Sequence, residues 1–253
     1  MTAPTRIGLV VPSSNTTIET EVPEMLRRRA AQTGESFTFH SSRAVLHRVD
    51  AESLDRMVGQ VDRCASELAD ARVDAIVYAC LVALMARGPG AHDEVERRIG
   101  EVARESGADP AITSSAGALV RVLDAHGLRR VAILTPYVPK LTELVVEYLE
   151  GAGATVTDAL SLGVDDNVEV GRLDPLRLPT LARGMDLGGA DALIISACVQ
   201  MPSLAAIPAA EERLGLPVLS AATATVHDLL VRLGRTPAVP GAGRLLAAEA
   251  SRI

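Results

Sequence analysis

Short apolar runs alternate with helix-like patterns along the first hundred residues of the chain. Residues 7–11 and 73–79 are rich in β-branched and small apolar side chains, as in buried strands. Residues 18–30 predict a helix, with acidic side chains early and arginines late, as the helix dipole favours. Apolar positions recur at helical spacing over residues 54–68 and again over residues 95–103. This alternation of strands and helices predicts a parallel sheet covered on both faces.

The pattern of the first half repeats in the second half. The strand-like runs that end at Pro12 and Pro136 are alike, and so are the runs that end at Cys80 and Cys198. The separations are 136 − 12 = 124 and 198 − 80 = 118 residues. Because two separate landmarks repeat at nearly one spacing, the sequence indicates an internal duplication.

The duplication predicts an α/β fold with two pseudo-symmetric parallel-sheet domains and an active site between them. We expect the first domain to comprise residues 1–115 plus 221–253, and the second to comprise residues 116–220. This division assumes that the last long helix, over residues 221–233, packs back on the first half. The tail that follows is rich in Pro and Gly, and its short predicted helix, residues 245–250, has no predicted position.

Composition narrows the class of protein. The formal charge is 25 − 32 = −7, which argues against a nucleic-acid partner, since such proteins usually carry a basic face. A small anion remains compatible, because a few local donors outweigh a diffuse negative field. No segment approaches the roughly 18 apolar residues of a membrane span, and a secretory leader pattern is not expected. Three widely separated cysteines predict a reduced, cytoplasmic protein.

Cys80 and Cys198 each follow a predicted buried strand. Ligands of open parallel sheets bind outside the carboxyl ends of the strands, so two facing domains would bring the thiols together. A helix beginning after each cysteine would aim N–H groups at the site and lower the thiol pKa. One such cysteine alone is more typical of core packing, but the matched positions favour a functional pair. Cys64 lies in helical register with Val61 and Leu68 and is expected in the core.

Five short motifs carry a family resemblance. They are VVPSSNTT at residues 10–17, CLV at 80–82, TPY at 135–137, DN at 166–167 and CVQMP at 198–202. Together they resemble the motifs of the maleate cis–trans isomerases, and the resemblance spans residues 6–233. It extends more loosely to the aspartate/glutamate racemase superfamily, which includes arylmalonate decarboxylase. The second cysteine departs from the one-cysteine decarboxylase pattern.

The resemblance implies a role for each motif. Cys80 is the implied nucleophile and Cys198 the implied acid. The implied substrate contacts are the side chains of Asn15, Tyr137 and Asn167 and the backbone amides of Leu81, Val82, Val199 and Gln200. Taken alone, either asparagine is more typical of a turn, and the tyrosine could serve surface packing. Ser13, Ser14 and Thr16 could bind a carboxylate or cap the next helix, and capping is favoured for Thr16.

The implied activity is cis–trans isomerisation of maleate, or of a close cis-butenedioate, to fumarate through a covalent cysteine adduct. No metal or organic cofactor is expected, because the chain has no Gly-rich phosphate loop and no His/Cys ligand cluster. The resemblance also suggests a homodimer. One alternative is a two-cysteine amino-acid racemase of the aspartate, glutamate or hydantoin type. It would need an ammonium-binding feature, which the motifs do not supply. A non-enzymatic binding protein would need no paired thiols.

Overall fold

The computed structural model describes residues 3–47 and 49–248, which form two four-stranded parallel sheets. The first sheet contains β1 (Thr5–Pro12), β2 (Phe37–Ala44), β3 (Ala75–Tyr78) and β4 (Ala111–Ser114), in the order β2-β1-β3-β4. The second contains β5 (Arg130–Thr135), β6 (Thr155–Ser161), β7 (Ala192–Ser196) and β8 (Val218–Ser220), in the order β6-β5-β7-β8. The predicted α/β fold with two parallel sheets is confirmed.

Helices follow the strands and cover the sheets. They are α1 (Ile18–Thr33), α2 (Ala51–Val58), α3 (Val61–Asp70), α4 (Leu81–Met85), α5 (Ala91–Glu105), α6 (Ser115–His126), α7 (Pro139–Gly151), α8 (Asn167–Val170), α9 (Leu178–Ala182), α10 (Ile207–Leu214) and α11 (Ala221–Arg232). Short 3₁₀ turns form at Pro175–Arg177 and Arg244–Leu246. Buried strands such as β3 and β7 are apolar throughout, as expected where helices lie on both faces.

The strand order places the ligand crevice. Each sheet reverses its direction of winding between its two central strands, β1 and β3 in one and β5 and β7 in the other. In open α/β sheets, ligands bind outside the carboxyl ends of the strands at such a reversal. The loops that follow these four strands carry Asn15, Cys80, Tyr137 and Cys198. Topology alone therefore directs the motif residues toward one region.

Helices α6 and α11 connect the two halves. Each begins directly after a strand, and a serine at the junction caps it: Ser114 accepts from Gly117 N at 3.1 Å and Ser220 from Thr223 N at 3.2 Å. Helix α11 packs on α6, on β4 and on α1, and so lies against the first half of the chain. The division after residues 115 and 220 stays a prediction about how the chain folds in units.

The structure differs from the sequence pattern in two places. The helical spacing over residues 54–68 belongs to two helices, which separate at Gly59 and Gln60. Glycine is a weak helix former, and the Gln60 side chain instead binds the backbone N–H and carbonyl of Val45. The tail forms a 3₁₀ turn at Arg244–Leu246 rather than a helix over 245–250, of which residues 249 and 250 lie outside the described residues.

A buried ion network ties β4, α6 and α11 together. The Asp228 carboxylate accepts from Thr113 Oγ1 at 2.5 Å and from the guanidinium of Arg121 at 2.9–3.0 Å. Arg121 also donates to Glu96 of α5. Burial acts to raise the pKa of Asp228, but the hydrogen bonds from Arg121 and Thr113 hold that pKa below its ordinary value.

We expect Asp228→Asn to lower the free energy of unfolding at pH 7 by about 1–3 kcal/mol, because it removes the charge that these donors bind. Since folding lowers the pKa of this carboxyl, its stabilisation is complete above the unfolded value of about 4 and is lost as the pH falls through the folded value. Urea unfolding at a series of pH values measures the gap between variant and wild type. Asp124→Asn, which removes an exposed ion pair with Arg129, is the control and should change little. A gap that stays constant down to about pH 3 would contradict the linkage.

Candidate active site

Cys80 lies between β3 and α4 and is 4% exposed. Its backbone is extended (φ −143°, ψ 93°) and it stands at the N-cap of α4, as the sequence predicted. Leu81 and Val82 form the first two positions of that helix and are buried. Backbone N–H groups at a helix start have no partner within the helix. They are therefore available as donors beside the thiol.

Cys198 follows β7 and is 3% exposed. The helix expected after it is wrong: residues 197–206, all of which the structure describes, form bends and turns, and α10 begins only at Ile207. Pro202 accounts for this, since a proline disfavours helical geometry at the residue before it. Ser196 Oγ instead donates to the carbonyl oxygens of Cys198 and Met201, at 2.7 and 3.1 Å. We call residues 197–204 the Cys198 loop.

Tyr137 joins the two thiols. It follows β5, is buried, and its hydroxyl donates to the sulfur of Cys198. Cys80 is close enough to Tyr137 to act on its hydroxyl through charge, and Cys198 acts on Cys80 in the same way. The structure thus brings together three predicted site residues from three strand ends and both halves of the chain. The N–H of Gln200 also donates to the Cys198 sulfur, at 3.3 Å.

Asn15 is buried two residues before Thr17, the N-cap residue of α1, and the Asn15 side chain rather than that of Thr17 caps the helix start. Its Oδ1 accepts from the N–H of Ile18 at 3.2 Å. Thr16, predicted as the cap, is exposed, and its N–H donates to the Gln200 side chain at 3.0 Å. Asn reaches a backbone N–H three residues along the chain more readily from this turn, because its acceptor stands one bond further from the backbone than a hydroxyl. With its oxygen bound to the helix start, Asn15 keeps its amide nitrogen as a donor.

The two serines of the N-terminal motif hold neighbouring loops. Ser14 Oγ accepts from Asn167 Nδ2 at 2.7 Å, which links the first half to the start of α8. Ser13 Oγ accepts from the N–H of Leu46 at 3.0 Å and so secures the loop after β2. Asn167 is buried at this contact. One of its two amide hydrogens is occupied by Ser14, and the other stays available.

Two side chains that matter to the site were missed by sequence reasoning. Gln200 was selected for its backbone amide, yet its buried side chain accepts from Thr16 N and Thr17 N and donates to Ser14 O and Asn167 O, at 2.8–3.3 Å. Glu21 was interpreted as a dipole-favoured acid at the start of α1. It is buried and binds the Cys198 loop. The sequence pattern contains no signal for either contact, since a helical Glu and a loop Gln are usually solvated.

Burial dominates the ionisation of the thiols. Burial raises the pKa of Cys80 to about 12, and the nearby Cys198 contributes to this rise. The hydrogen bond from the N–H of Ala83 acts to lower this pKa but does not offset burial. Burial also raises the pKa of Cys198, although the Tyr137 hydroxyl and the N–H groups of Gln200 and Met201 act to lower it. This direction is opposite to the expected lowering toward neutrality, because loss of hydration outweighs a few donors. Burial therefore favours the thiol form of both groups.

The remaining cysteine behaves as its spacing predicted. Cys64 is buried in the core on α3, beside Ser42 of β2. All three cysteines are free. Within residues 3–47 and 49–248, no group of three or more His, Cys, Asp or Glu side chains could hold a metal ion. Over the same residues, none of the helices has the length and hydropathy needed to cross a membrane.

Known proteins identify this arrangement. A sequence model described as arylmalonate decarboxylase matches residues 7–246. The maleate isomerase of Geobacillus stearothermophilus is 49% identical over 245 residues, which cover 96% of this chain and 98% of the relative. The chain belongs to the maleate isomerase family. The resemblance inferred from the motifs is confirmed, and the protein is an isomerase.

Solved structures of the isomerase family share the fold at full length. The maleate isomerase Iso from Pseudomonas putida S16, in a cysteine-to-alanine form with maleate, superposes with a TM-score of 0.96 at 46% identity and covers 98% of this chain and 99% of that chain. A cysteine-to-serine mutant of the Nocardia farcinica maleate cis–trans isomerase, with a covalently bound succinylcysteine intermediate, gives a TM-score of 0.94 at 48% identity. That match covers 98% of this isomerase and 100% of the Nocardia chain.

The raised thiol pKa values predict that this isomerase shows no thiolate from Cys80 near neutral pH. We expect the ultraviolet thiolate absorbance that is lost in Cys80→Ser to emerge only well above about pH 8.5, the ordinary cysteine value. The same proteins unfolded in urea provide the control, since their thiols should titrate at that ordinary value. A Cys80 signal that titrates near neutral pH in the folded protein would mean that the donors at α4 outweigh burial.

Proposed function

We propose that the protein converts maleate, or a close cis-butenedioate, to fumarate through a covalent cysteine adduct and without a metal or organic cofactor. The observation that carries the proposal is the meeting of Cys80, Cys198 and Tyr137 at the ends of three strands. Two thiols that face one crevice can add to a substrate and transfer a proton beside it. The succinylcysteine intermediate of the Nocardia relative supports the same chemistry.

The first step makes the double bond single. Cys80 sulfur bonds to one alkene carbon, and the π electrons move to the other carbon and its carboxylate as an enediolate. The backbone N–H groups of Leu81 and Val82 and the amide nitrogen of Asn15 are the proposed donors to this developing charge, as in an oxyanion hole. Asn167 is proposed to donate its second amide hydrogen to a substrate carboxylate.

The second step uses Cys198 as the proton carrier. Cys198 protonates the far carbon, which gives a succinyl thioether on Cys80. Cys198 also takes up the proton that Cys80 loses. The adduct therefore equals one thiol plus one maleate. Rotation about the new single bond follows. Cys198 then returns a proton to the departing Cys80 sulfur and takes up the carbon-bound proton as the C–S bond breaks, so fumarate leaves and both thiols are restored. Tyr137 and the N–H groups of the Cys198 loop would stabilise this transient thiolate, which suits Cys198 to acid–base work.

The remaining site contacts are proposed from the same geometry. The N–H of Gln200 lies on the Cys198 sulfur, and the N–H of the buried Val199 precedes it in the loop. Both are proposed to face the end of the substrate that Cys198 protonates. Apolar side chains at Leu81, Val82 and Val199 are buried around the thiols. Exclusion of water there strengthens each charge interaction in the transition state.

We further propose a cytoplasmic homodimer. Three free thiols suit a reducing compartment. The dimer rests on the family resemblance, and light scattering of the purified protein after size exclusion measures it.

Activity is tested by proton NMR of maleate with the pure protein in EDTA. We expect fumarate to accumulate without any added cofactor, since no step needs one. Cys64→Ser should retain most of this turnover, because Cys64 packs in the core on α3 and takes no part in the proposed steps. Reversible loss of turnover in the chelator, or a folded but inactive Cys64→Ser protein, would contradict the assignment.

The unequal roles of the cysteines are tested by mass spectrometry of protein quenched during turnover. We expect an adduct of roughly 116 Da, one maleic acid, on the peptide that contains Cys80. Cys80→Ser should form no adduct, and Cys198→Ser should slow its breakdown or block protonation. An adduct found on Cys198 alone would reverse the roles. No adduct, together with deuterium exchange at the α-carbon of an amino acid, would favour a two-base racemase.

Substitutions at Asn15 and Tyr137 test the proposed donors. Asn15→Asp keeps an acceptor for the helix cap but removes the donor, so we expect a loss of about 100-fold or more in kcat. Tyr137→Phe removes the donor to Cys198 and should lower kcat to a smaller extent. Circular dichroism and thermal unfolding serve as controls for the fold. Near wild-type kinetics in both variants would remove these side chains from the reaction.

A further inference from the structure

The Cys198 loop is held by a carboxylate from the other half of the chain. Glu21 lies in the first turn of α1 and is 7% exposed. Its Oε1 accepts from the N–H groups of Ser203 and Leu204, at 2.6 and 2.7 Å. Its Oε2 accepts from Ser203 Oγ at 3.3 Å. One loop therefore supplies three donors to one carboxylate, 182–183 residues away in sequence.

As a purely structural contact, this buried carboxylate has an unfavourable desolvation free energy. Burial raises the pKa of Glu21, and the hydrogen bonds from Ser203 and Leu204 only partly oppose that effect. Arg28 acts on the carboxyl through charge at longer range. A buried carboxylate that relies on backbone donors is less favourable than a well-packed apolar side chain. Its contact with the Cys198 loop offers a reason for it.

The Cys198 loop needs an external support because it contains no helix over residues 197–204, all of them described. Ser196 closes the loop from inside, and Gln200 connects its middle to the N-terminal motif. Glu21 holds its far end, two residues beyond Met201. The same helix that begins at the Asn15 cap thereby locates the Cys198 loop. Helix α1 therefore holds both the N-terminal motif at Asn15 and the Cys198 loop in place.

We propose that Glu21 is a positioning residue for Cys198: it fixes the loop so that the Cys198 sulfur stands at the right distance from Cys80 and from substrate for proton transfer. This inference rests on the proposed function for its catalytic consequence. It predicts that weakening the contact impairs the Cys198 step more than substrate binding. A misplacement of about 1 Å can lower a rate by about 100-fold.

Glu211 supplies a matched control. It is also 7% exposed, lies on α10, and accepts backbone hydrogen bonds from Val218 N at 3.1 Å and Arg244 N at 2.9 Å. It holds the C-terminal tail and β8 rather than the Cys198 loop. Glu211→Gln therefore reproduces the loss of a buried carboxylate without touching the loop.

The first measurement is alkylation of each cysteine by iodoacetamide, followed by peptide mass spectrometry. We expect Glu21→Gln to label Cys198 several-fold faster than wild type, because its amide group places a donor against the loop N–H groups and loosens the loop. Cys64 should label at the wild-type rate. Glu211→Gln should leave Cys198 labelling unchanged. This readout does not depend on turnover, so it tests the positioning role even if maleate is not the substrate.

The second measurement is steady-state kinetics with maleate. We expect Glu21→Gln to lower kcat by about 10- to 100-fold with a smaller change in KM, since proton transfer by Cys198 depends more steeply on the position of the loop than substrate binding does. The succinyl adduct on Cys80 should accumulate as in Cys198→Ser. Glu21→Asp, which withdraws the carboxylate by one methylene, should show the same split to a smaller degree and serves if Glu21→Gln does not fold. Glu211→Gln should change thermal stability alone.

The outcomes separate the two proposals. Unchanged Cys198 labelling in a folded Glu21 variant overturns the positioning role. Parallel changes in Glu21→Gln and Glu211→Gln, with kcat following stability in both, also overturn it, because a structural carboxylate would give that result. Absence of maleate turnover by the wild-type protein overturns the proposed function, while the labelling arm still decides the role of Glu21.

Discussion

The site depends on the buried side chain of Gln200. Its amide makes four hydrogen bonds, two to the N–H groups of Thr16 and Thr17 and two to the carbonyls of Ser14 and Asn167. These partners belong to both halves of the chain. The amide oxygen accepts two hydrogen bonds and the amide nitrogen donates two, so the side chain is fully satisfied. A buried amide satisfied in this way specifies one arrangement, since any displacement leaves polar groups without partners. Contacts between the Gln200 side chain and the backbone of both halves therefore fix the crevice in which the two thiols lie.

Burial away from water has the largest effect on the ionisation of the two thiols. Desolvation raises the pKa of both Cys80 and Cys198 and so favours their protonated forms. A reaction that begins with two thiols must transfer a proton as the sulfur bonds to carbon. Such a transfer depends on the relative position of the two sulfur atoms. This requirement explains why so many contacts converge on the Cys198 loop, including the Tyr137 hydroxyl on the sulfur and the Glu21 carboxylate at the far end.

The duplicated halves are alike in topology and unlike in detail. Both sheets have the same strand order, and a cysteine follows one of the two central strands in each, β3 in one and β7 in the other. After Cys80 the chain continues directly into α4, whereas after Cys198 the residue Pro202 prevents a helix. One thiol therefore faces the free N–H groups of a helix start, and the other lies in a loop with a tyrosine on its sulfur. Unequal environments of this kind can assign unequal roles to two residues that a duplication made equivalent.

The sequence by itself determined the strands that precede Cys80 and Cys198, the parallel α/β class, the core position of Cys64 and the family. These follow from apolar periodicity and from contiguous motifs, both of which are local. Tertiary structure decided that Asn15 rather than Thr16 caps α1, that the thiol pKa values rise, and that Gln200 and Glu21 bind across the crevice. The Gln200 and Glu21 contacts join residues 182–186 positions apart. A buried Glu and an exposed Glu occupy the same place in a helical pattern, so only the packing of the other half of the chain distinguishes them.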